Sequence, residues 1–478
     1  MTQYFDERIT RLTVNRKQSI KDTMRAIDAG ALGIAFVVND ERKFVGLVTD
    51  GDVRGAILRG VRIESPVSEI VNTKPVVITN KASDEELLAL QNSEPIKSKL
   101  GLGYSMKIPV LDSESMVKDI MFLYHSGQKP AFLSKYHSSD LAAVKKVLVI
   151  GCSGYLGSVL VRKLLSAGFT VHGLDKLMYG DKGISELYNK HNFKFIEGDI
   201  RDIKVLMDAI KGCDAVIHLA AIVGDPACKL DAEETITINY LATKTITEIC
   251  KYSQVNRMLF ASTCSVYGAS DKPGSLITEE SGLNPVSLYA EMKIKSEMAI
   301  LEAVDDNFSP TILRMATLYG LSPRMRFDLV VNLFAAKATN KEVITIFGGN
   351  QWRPLLHLED AAEAYVRCLA APIEKVRGQI FNVGSNQQNY RISDLEPILN
   401  KIFPVLKIDR KEDAVDTRDY RVDFAKITKV LDYHVEKTVH DGMSEIKQAI
   451  ESGQIENYLD KKYSNYESLS SNAASSSV

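Results

Sequence analysis

Between Val147 and about residue 260, short apolar runs alternate with segments of helical period. The runs are VLVIG, TVHGLD, AVIHLAA and RMLFAS; the helical segments fall at 158–167, near 202–211 and near 234–252. Strands that alternate with helices build a parallel sheet covered on both faces, so the pattern predicts a doubly wound α/β fold. The N-terminal portion reads differently. SIKDTMRAIDAG is a Ser-capped amphipathic helix, AFVVND and FVGLVTD are strands joined by the turn ERK, and GDVRGAILRG is a second helix. A weaker copy follows, with SDEELLALQN as helix, KIPVLD as strand and MVKDIMFL after it, interrupted by SEPIKSKLGLGYS. An internal duplication is therefore expected. The pattern divides the chain into a module at 1–124, a connector at 125–144, a large α/β domain at 145–456, and a tail at 457–478. The tail is Ser-rich and poor in core-forming residues, and is expected to be disordered.

Composition narrows the classes. The 478 residues carry 59 Lys plus Arg against 61 Asp plus Glu, so no global field recruits nucleic acid or an anionic membrane. No apolar stretch approaches the roughly 18 residues of a membrane span, and MTQYFDERIT lacks the segments of a signal peptide. A cytoplasmic protein with neither nucleic-acid nor membrane partner is expected. The six cysteines are scattered, with no C-x-x-C pair, which fits reduced thiols better than disulfides or a metal site.

The first candidate chemistry lies in VLVIGCSGYLG, where a strand ends in Gly151, Gly154 and Gly157 and a helix follows. In such a loop the first glycine permits the tight turn, the second lets backbone approach a pyrophosphate, and the third packs helix against strand. The helix N-terminus then offers free N–H groups to phosphate. Asp175 ends the next strand, TVHGLD, where a carboxylate accepts hydrogen bonds from ribose hydroxyls and repels a 2′-phosphate. NAD is thus favoured over NADP.

On GCSGYLG, GDIRD, HLAA, ASTCSVYG and Tyr289-Ala-Glu-Met-Lys293, residues 145 to about 456 resemble an extended short-chain dehydrogenase/reductase of the nucleotide-sugar epimerase and dehydratase class. The resemblance implies a Rossmann-type sheet with a small C-terminal substrate subdomain. It also implies NAD held by the loop that includes Tyr155 and Leu156, with Asp199 and Ile200 flanking the adenine and Leu219, Ala220 and Ala221 along the ribose and pyrophosphate path. Tyr289 and Lys293, four apart in a helical segment, share one face. A nearby ammonium stabilises a phenolate, lowering a pKa that starts near 10. Tyr289 is then the acid/base, Lys293 also holds the nicotinamide ribose, and Thr263 matches the residue that hydrogen-bonds the reacting oxygen.

The reaction is narrowed by Cys264 and Ser265. The resembling 4,6-dehydratases carry an Asp-Glu pair there, because eliminating water needs an added acid and base. The expectation is a nucleotide-sugar epimerase acting on a nucleotide-diphosphate sugar through a transient 4-keto sugar. The alternatives are a nucleotide-ketosugar reductase, a dehydratase, or a non-catalytic NAD sensor. By resemblance Arg353 grips the diphosphate and Asn332 contacts the sugar nucleotide, while Arg418 in DTRDYR either reaches the nucleotide or pairs with a neighbouring Asp. The chain departs from galactose epimerases at LRMATLYG, where Thr317 replaces a usual Asn, and in SPRMRFDLVVN, which leaves sugar and base open.

Residues 7 to about 124 resemble a tandem pair of cystathionine-β-synthase-type (CBS) domains, an α+β module, through their element order and GLVTDGD. The resemblance implies an adenine nucleotide at Thr49 and Asp52, or a dimerisation module without ligand. A homodimer or higher homo-oligomer is expected.

Overall fold

In the computed structural model the alternation from Lys146 onward forms one seven-stranded sheet. The structure describes residues 9–30, 32–80, 82–94, 96, 106–123, 131–132, 144–268, 276–305, 307–411 and 419–475. The chain divides into two units, Met1–Ala143 and Val144–Val478. Most of the expected connector at 125–144 lies outside the described residues.

In the second unit the strands are β1 (Lys146–Ile150), β2 (Thr170–Asp175), β3 (Phe193–Glu197), β4 (Ala215–His218), β5 (Arg257–Thr263), β6 (Ser309–Met315) and β7 (Gln379–Val383). Their spatial order is β3-β2-β1-β4-β5-β6-β7, and every pairing is parallel. The order reverses between β1 and β4, and in open α/β sheets that switch point is where ligands bind, beyond the carboxyl ends of the strands. Successive residues of β1 enter opposite cores: Val147 and Val149 pack with Leu160 and Val161, and Leu148 and Ile150 pack with Val216 and Phe260. This two-sided burial explains why the strands read as continuous apolar runs.

The smaller lobe, expected at the C-terminal end, draws both on the chain between β6 and β7 and on the chain after β7. It is built from the helices Val330–Thr339, Leu395–Ile402 and Val439–Glu451 with short strands such as Trp352–His357. Its core holds Phe334, Leu355, Leu399, Val439 and Met443.

The tail is a correction. Residues expected to be disordered form a helix at Asn465–Ser475, preceded by a turn at Lys461–Tyr463. Composition alone missed the aromatic anchors: the rings of Tyr458 and Tyr463 pack edge-on against Phe327, at 5.6 and 5.4 Å between centroids. The Phe327 N–H also donates to the Tyr463 carbonyl at 2.9 Å.

In the first unit the duplication is visible in the sheets. Thr13–Asn15 runs parallel to Ile34–Val38, which pairs antiparallel with Phe44–Thr49. Ile78–Thr79 runs parallel to Met106–Leu111, which pairs antiparallel with Val117–Leu123. Both hairpins shift register at matching places, Val37/Val38 and Val110/Leu111.

Candidate active site

The carboxyl ends of β1, β2, β4 and β5 open onto a cavity of about 690 Å³. Gly151 closes β1 with φ +87°, and its N–H donates to the Leu174 carbonyl at 2.8 Å. A side chain there would meet the Ala220 nitrogen at 2.7 Å, and one at Gly157 would meet the Gly151 carbonyl at 2.0 Å. These two glycines are required by turn and packing, as the spacing implied. Gly154 differs: a Cβ there has only the Gly151 carbonyl within reach, at 3.4 Å, so the absent side chain leaves room at the cavity wall.

Asp175 is fixed by two backbone donors, Ser153 N–H to Oδ2 at 2.9 Å and Leu177 N–H to Oδ1 at 2.8 Å. Burial pushes its carboxyl above the ordinary range, with those donors opposing. Asp199 is gripped by Arg201, at 3.0 and 2.6 Å, and by Lys176 at 3.0 Å. The Arg201 hydrogen bonds come first among the causes that hold it far below the usual carboxylate range. Tyr155, Leu156, Ile200, Leu219, Ala220 and Ala221 also line the cavity. All the residues expected around the cofactor are therefore brought together.

The catalytic candidates converge on the same space. Tyr289 and Lys293 project from the helix Leu288–Glu302, whose N-terminus Ser287 caps through the Ala290 N–H at 3.3 Å. Lys293 is 2% exposed. Its Nζ donates to the Ala261 carbonyl at 2.6 Å and lies 4.5 Å from the Phe260 ring and 5.9 Å from the Tyr289 ring. Thr263 Oγ1 accepts from the Ser265 N–H at 3.1 Å. Burial pulls Lys293 down to about 8, against the attraction of Glu297. The expected lowering of the phenol is not supplied by the protein: burial pushes Tyr289 well above its ordinary value, and Arg326 is the cation that opposes.

The two positions after Thr263 diverge. Cys264 is buried and its Sγ donates to the Arg314 carbonyl at 3.3 Å, away from the cavity. Ser265 lines the cavity, with Oγ 3.4 Å from the Tyr420 hydroxyl.

Two substrate candidates are placed otherwise. Asn332 stands outside the cavity lining as a buried clasp: Nδ2 donates to the Tyr155 hydroxyl and the Arg326 carbonyl, each at 2.8 Å, and Oδ1 accepts from Gly320 N–H at 3.0 Å. Its amide is spent on holding the lobe to the glycine-loop helix. Arg353 backs the wall, with its guanidinium 5.4 Å from the ring of cavity-lining Tyr420 and Nη1 donating to the Trp352 carbonyl at 2.7 Å. Arg418 lies outside the described residues. In the first unit, Thr49 and Asp52 meet as a capping box: Asp52 Oδ2 accepts from the Thr49 N–H and hydroxyl, each at 2.8 Å, and the Asp52 N–H donates to Thr49 Oγ1 at 3.1 Å.

Sequence reasoning missed Tyr179, Asp225, Arg324, Arg326, Tyr420 and Asn465, all at the cavity wall. The signal for two of them was in view, because Arg324 and Arg326 belong to the departing run SPRMRFD. Arg326 pairs with Asp328 through two hydrogen bonds, at 2.9 and 2.8 Å.

Both units have counterparts among known proteins. Residues 147–384 match the family described as NAD dependent epimerase/dehydratase family, and residues 8–59 match the CBS domain. The chain is 28% identical over 303 residues to the low-salt glycan biosynthesis protein Agl12 of Haloferax volcanii, covering 62% of this chain and 96% of that one. It is 30% identical over 287 residues to the dTDP-D-glucose 4,6-dehydratase of Bos taurus, covering 58% and 78% respectively. The structure of the UDP-glucuronic acid 4-epimerase from Bacillus cereus, in complex with UDP-glucuronic acid and NAD, superposes with a TM-score of 0.57 at 26% identity. It covers 64% of this chain and 99% of its own.

Proposed function

The chain belongs to the NAD dependent epimerase/dehydratase family and carries an N-terminal CBS domain, and from that premise we propose that it is a nucleotide-sugar epimerase working through a transient 4-keto sugar. The observation that carries the proposal is the meeting of Tyr289, Lys293 and Thr263 with the glycine loop in one cavity. At the two positions where dehydratases place an acid and a base, the chain has a cysteine turned into the core and a serine.

The room at Gly154, the fixed carboxylate of Asp175 and the path along Leu219 to Ala221 fit a dinucleotide. The loop from Gly151 to Gly157, Asp175, Asp199, Ile200 and Lys293 would hold it. NAD, when bound, supplies reversible oxidation and reduction at the carbinol carbon. Tyr289 exchanges the proton of the reacting hydroxyl, Thr263 Oγ1 hydrogen-bonds the same oxygen, and Lys293, anchored to the Ala261 carbonyl, presents its charge beside the phenol. Arg353 steadies Tyr420 at the wall rather than lining it.

A dehydratase is the second reading. It is favoured by the kind of relative matched and by Asp225, a carboxylate at the cavity wall whose charge acts on Tyr289. A screen of nucleoside-diphosphate hexoses against the full chain, following products by mass and absorbance at 340 nm together, separates the readings. Inversion without net reduction or loss of water is expected. Loss of water identifies a dehydratase, consumption of added reduced cofactor a reductase, and turnover of none would sink the proposal. Repeating the screen with AMP and ATP tests the CBS domain, where an adenine nucleotide would displace the Thr49–Asp52 cap. Neither binding heat nor a rate change leaves the domain an assembly device, and sedimentation of the full chain then reads the expected homo-oligomer.

Cofactor choice is a separate expected result. Calorimetry should give NAD binding well ahead of NADP, because a 2′-phosphate would face the Asp175 carboxylate. Equal affinities would remove Asp175 from cofactor selection.

A further inference from the structure

Arg324 is 6% exposed and lines the cavity. Its Nη2 donates to Asn465 Oδ1 at 2.7 Å, and its guanidinium lies 4.1 Å from the Tyr179 ring. Its Nε is buried without a hydrogen-bond partner among the described residues, and so is the Tyr179 hydroxyl. Buried donors are nearly always satisfied, and one on a cation is the most expensive to leave unpaired.

The nearby carboxylates are spent elsewhere. Asp328 takes both arms of Arg326, and Asp175 takes the Ser153 and Leu177 N–H groups. What remains is a stacked pair of side chains at the cavity wall, each with one unpartnered donor and one of them charged. An anionic oxygen answers both.

The pair also has a definite side of the cavity. The Tyr179 segment is tied to the glycine loop, since Ser153 Oγ donates to the Gly180 carbonyl at 2.7 Å. A Cβ at Gly183 would meet the Ser153 carbonyl at 2.5 Å. Arg324 is held there from the far end of the chain. Asn465 accepts from it and donates Nδ2 to the Val223 carbonyl at 3.0 Å, so one carboxamide joins the C-terminal helix, the arginine run and the loop after β4.

We propose that Arg324 and Tyr179, positioned by Asn465, form a diphosphate subsite on the dinucleotide side of the cavity. The proposal rests on the reading of this cavity as an NAD site. The same chemistry could serve the diphosphate of a nucleotide sugar, and the two sources are separable.

Calorimetry on the full chain with NAD, ADP, adenosine and UDP tests it. For Arg324→Gln, NAD and ADP should weaken by about 10- to 100-fold, the range for a charge-assisted hydrogen bond, while adenosine and UDP are unchanged. Tyr179→Phe keeps the stacked ring and should lose the same two ligands by a few-fold. Asn465→Ala should follow the same selectivity with a smaller loss. The proposal is overturned if NAD and ADP bind all three variants as tightly as the unaltered protein. It is also overturned if the loss falls on UDP instead, or if adenosine declines in step, which makes Arg324 a support of the fold. Failure of the unaltered protein to bind NAD would overturn the cofactor reading itself, and that is seen before any variant is compared.

Discussion

Tyr289→Phe is expected to bind NAD as the unaltered protein does while turnover falls by about 10²-fold or more, the loss typical of removing a positioned acid/base. The substitution deletes one oxygen and keeps the ring beside Lys293 and within the core that includes Ile222 and Ile300, so the fold has little reason to respond. The surroundings make the prediction sharp. Burial holds the phenol protonated far above neutral pH, with Arg326 the opposing protein cation. The group is therefore ready to return a proton to a sugar oxygen, and a phenylalanine has none. Steady-state rates with the substrate found in the screen, beside NAD calorimetry, read both halves. Near-normal turnover would take Tyr289 out of the mechanism.

The second large effect is on stability. Glu297→Ala should lower the free energy of unfolding by about 3–5 kcal/mol, the range for breaking a buried ion pair from one side. Glu297 and Arg314 are each 3% exposed at the side chain. They meet through Arg314 Nη2 at 2.6 Å and Nε at 3.0 Å. Ser262 Oγ also donates to the carboxylate. After the substitution Arg314 keeps the Tyr267 hydroxyl at 2.9 Å and the Glu279 carbonyl at 3.3 Å, neither of which carries a compensating charge. Replacing both partners by methionine should cost far less, because no buried charge is then stranded. Urea unfolding of the two variants checks the contrast, and a single-variant loss below about 1 kcal/mol would place the pair with exposed ones. The site should feel the change, since Glu297 is the main group opposing the loss of charge on Lys293.

What the sequence determined by itself is what depends on near neighbours in the chain. The runs VLVIG, TVHGLD and AVIHLAA became β1, β2 and β4 because strands buried on both faces must be apolar throughout. Gly151 and Gly157 were legible because a tight turn and a close packing contact admit no side chain. Tyr289 and Lys293 were legible because a spacing of four places both on one helix face. The doubling of the first unit showed as repeated element order, and its paired sheets with matching register shifts follow that repeat.

The tertiary structure decided whatever needed partners distant in sequence. Arg324 and Asn465 are 141 residues apart, and no local pattern says that they touch. Asn332 matched a substrate contact by position, yet three hydrogen bonds to Tyr155, Arg326 and Gly320 consume its amide. The Ser-rich tail read as disordered because composition averages over residues, whereas its docking rests on a few contacts with distant partners: the rings of Tyr458 and Tyr463 against Phe327, and the Asn465 carboxamide between Arg324 and Val223. The pKa of Tyr289 was likewise beyond the sequence. Its direction is set by how completely the fold removes water from the phenol, and burial is a property of the packed chain.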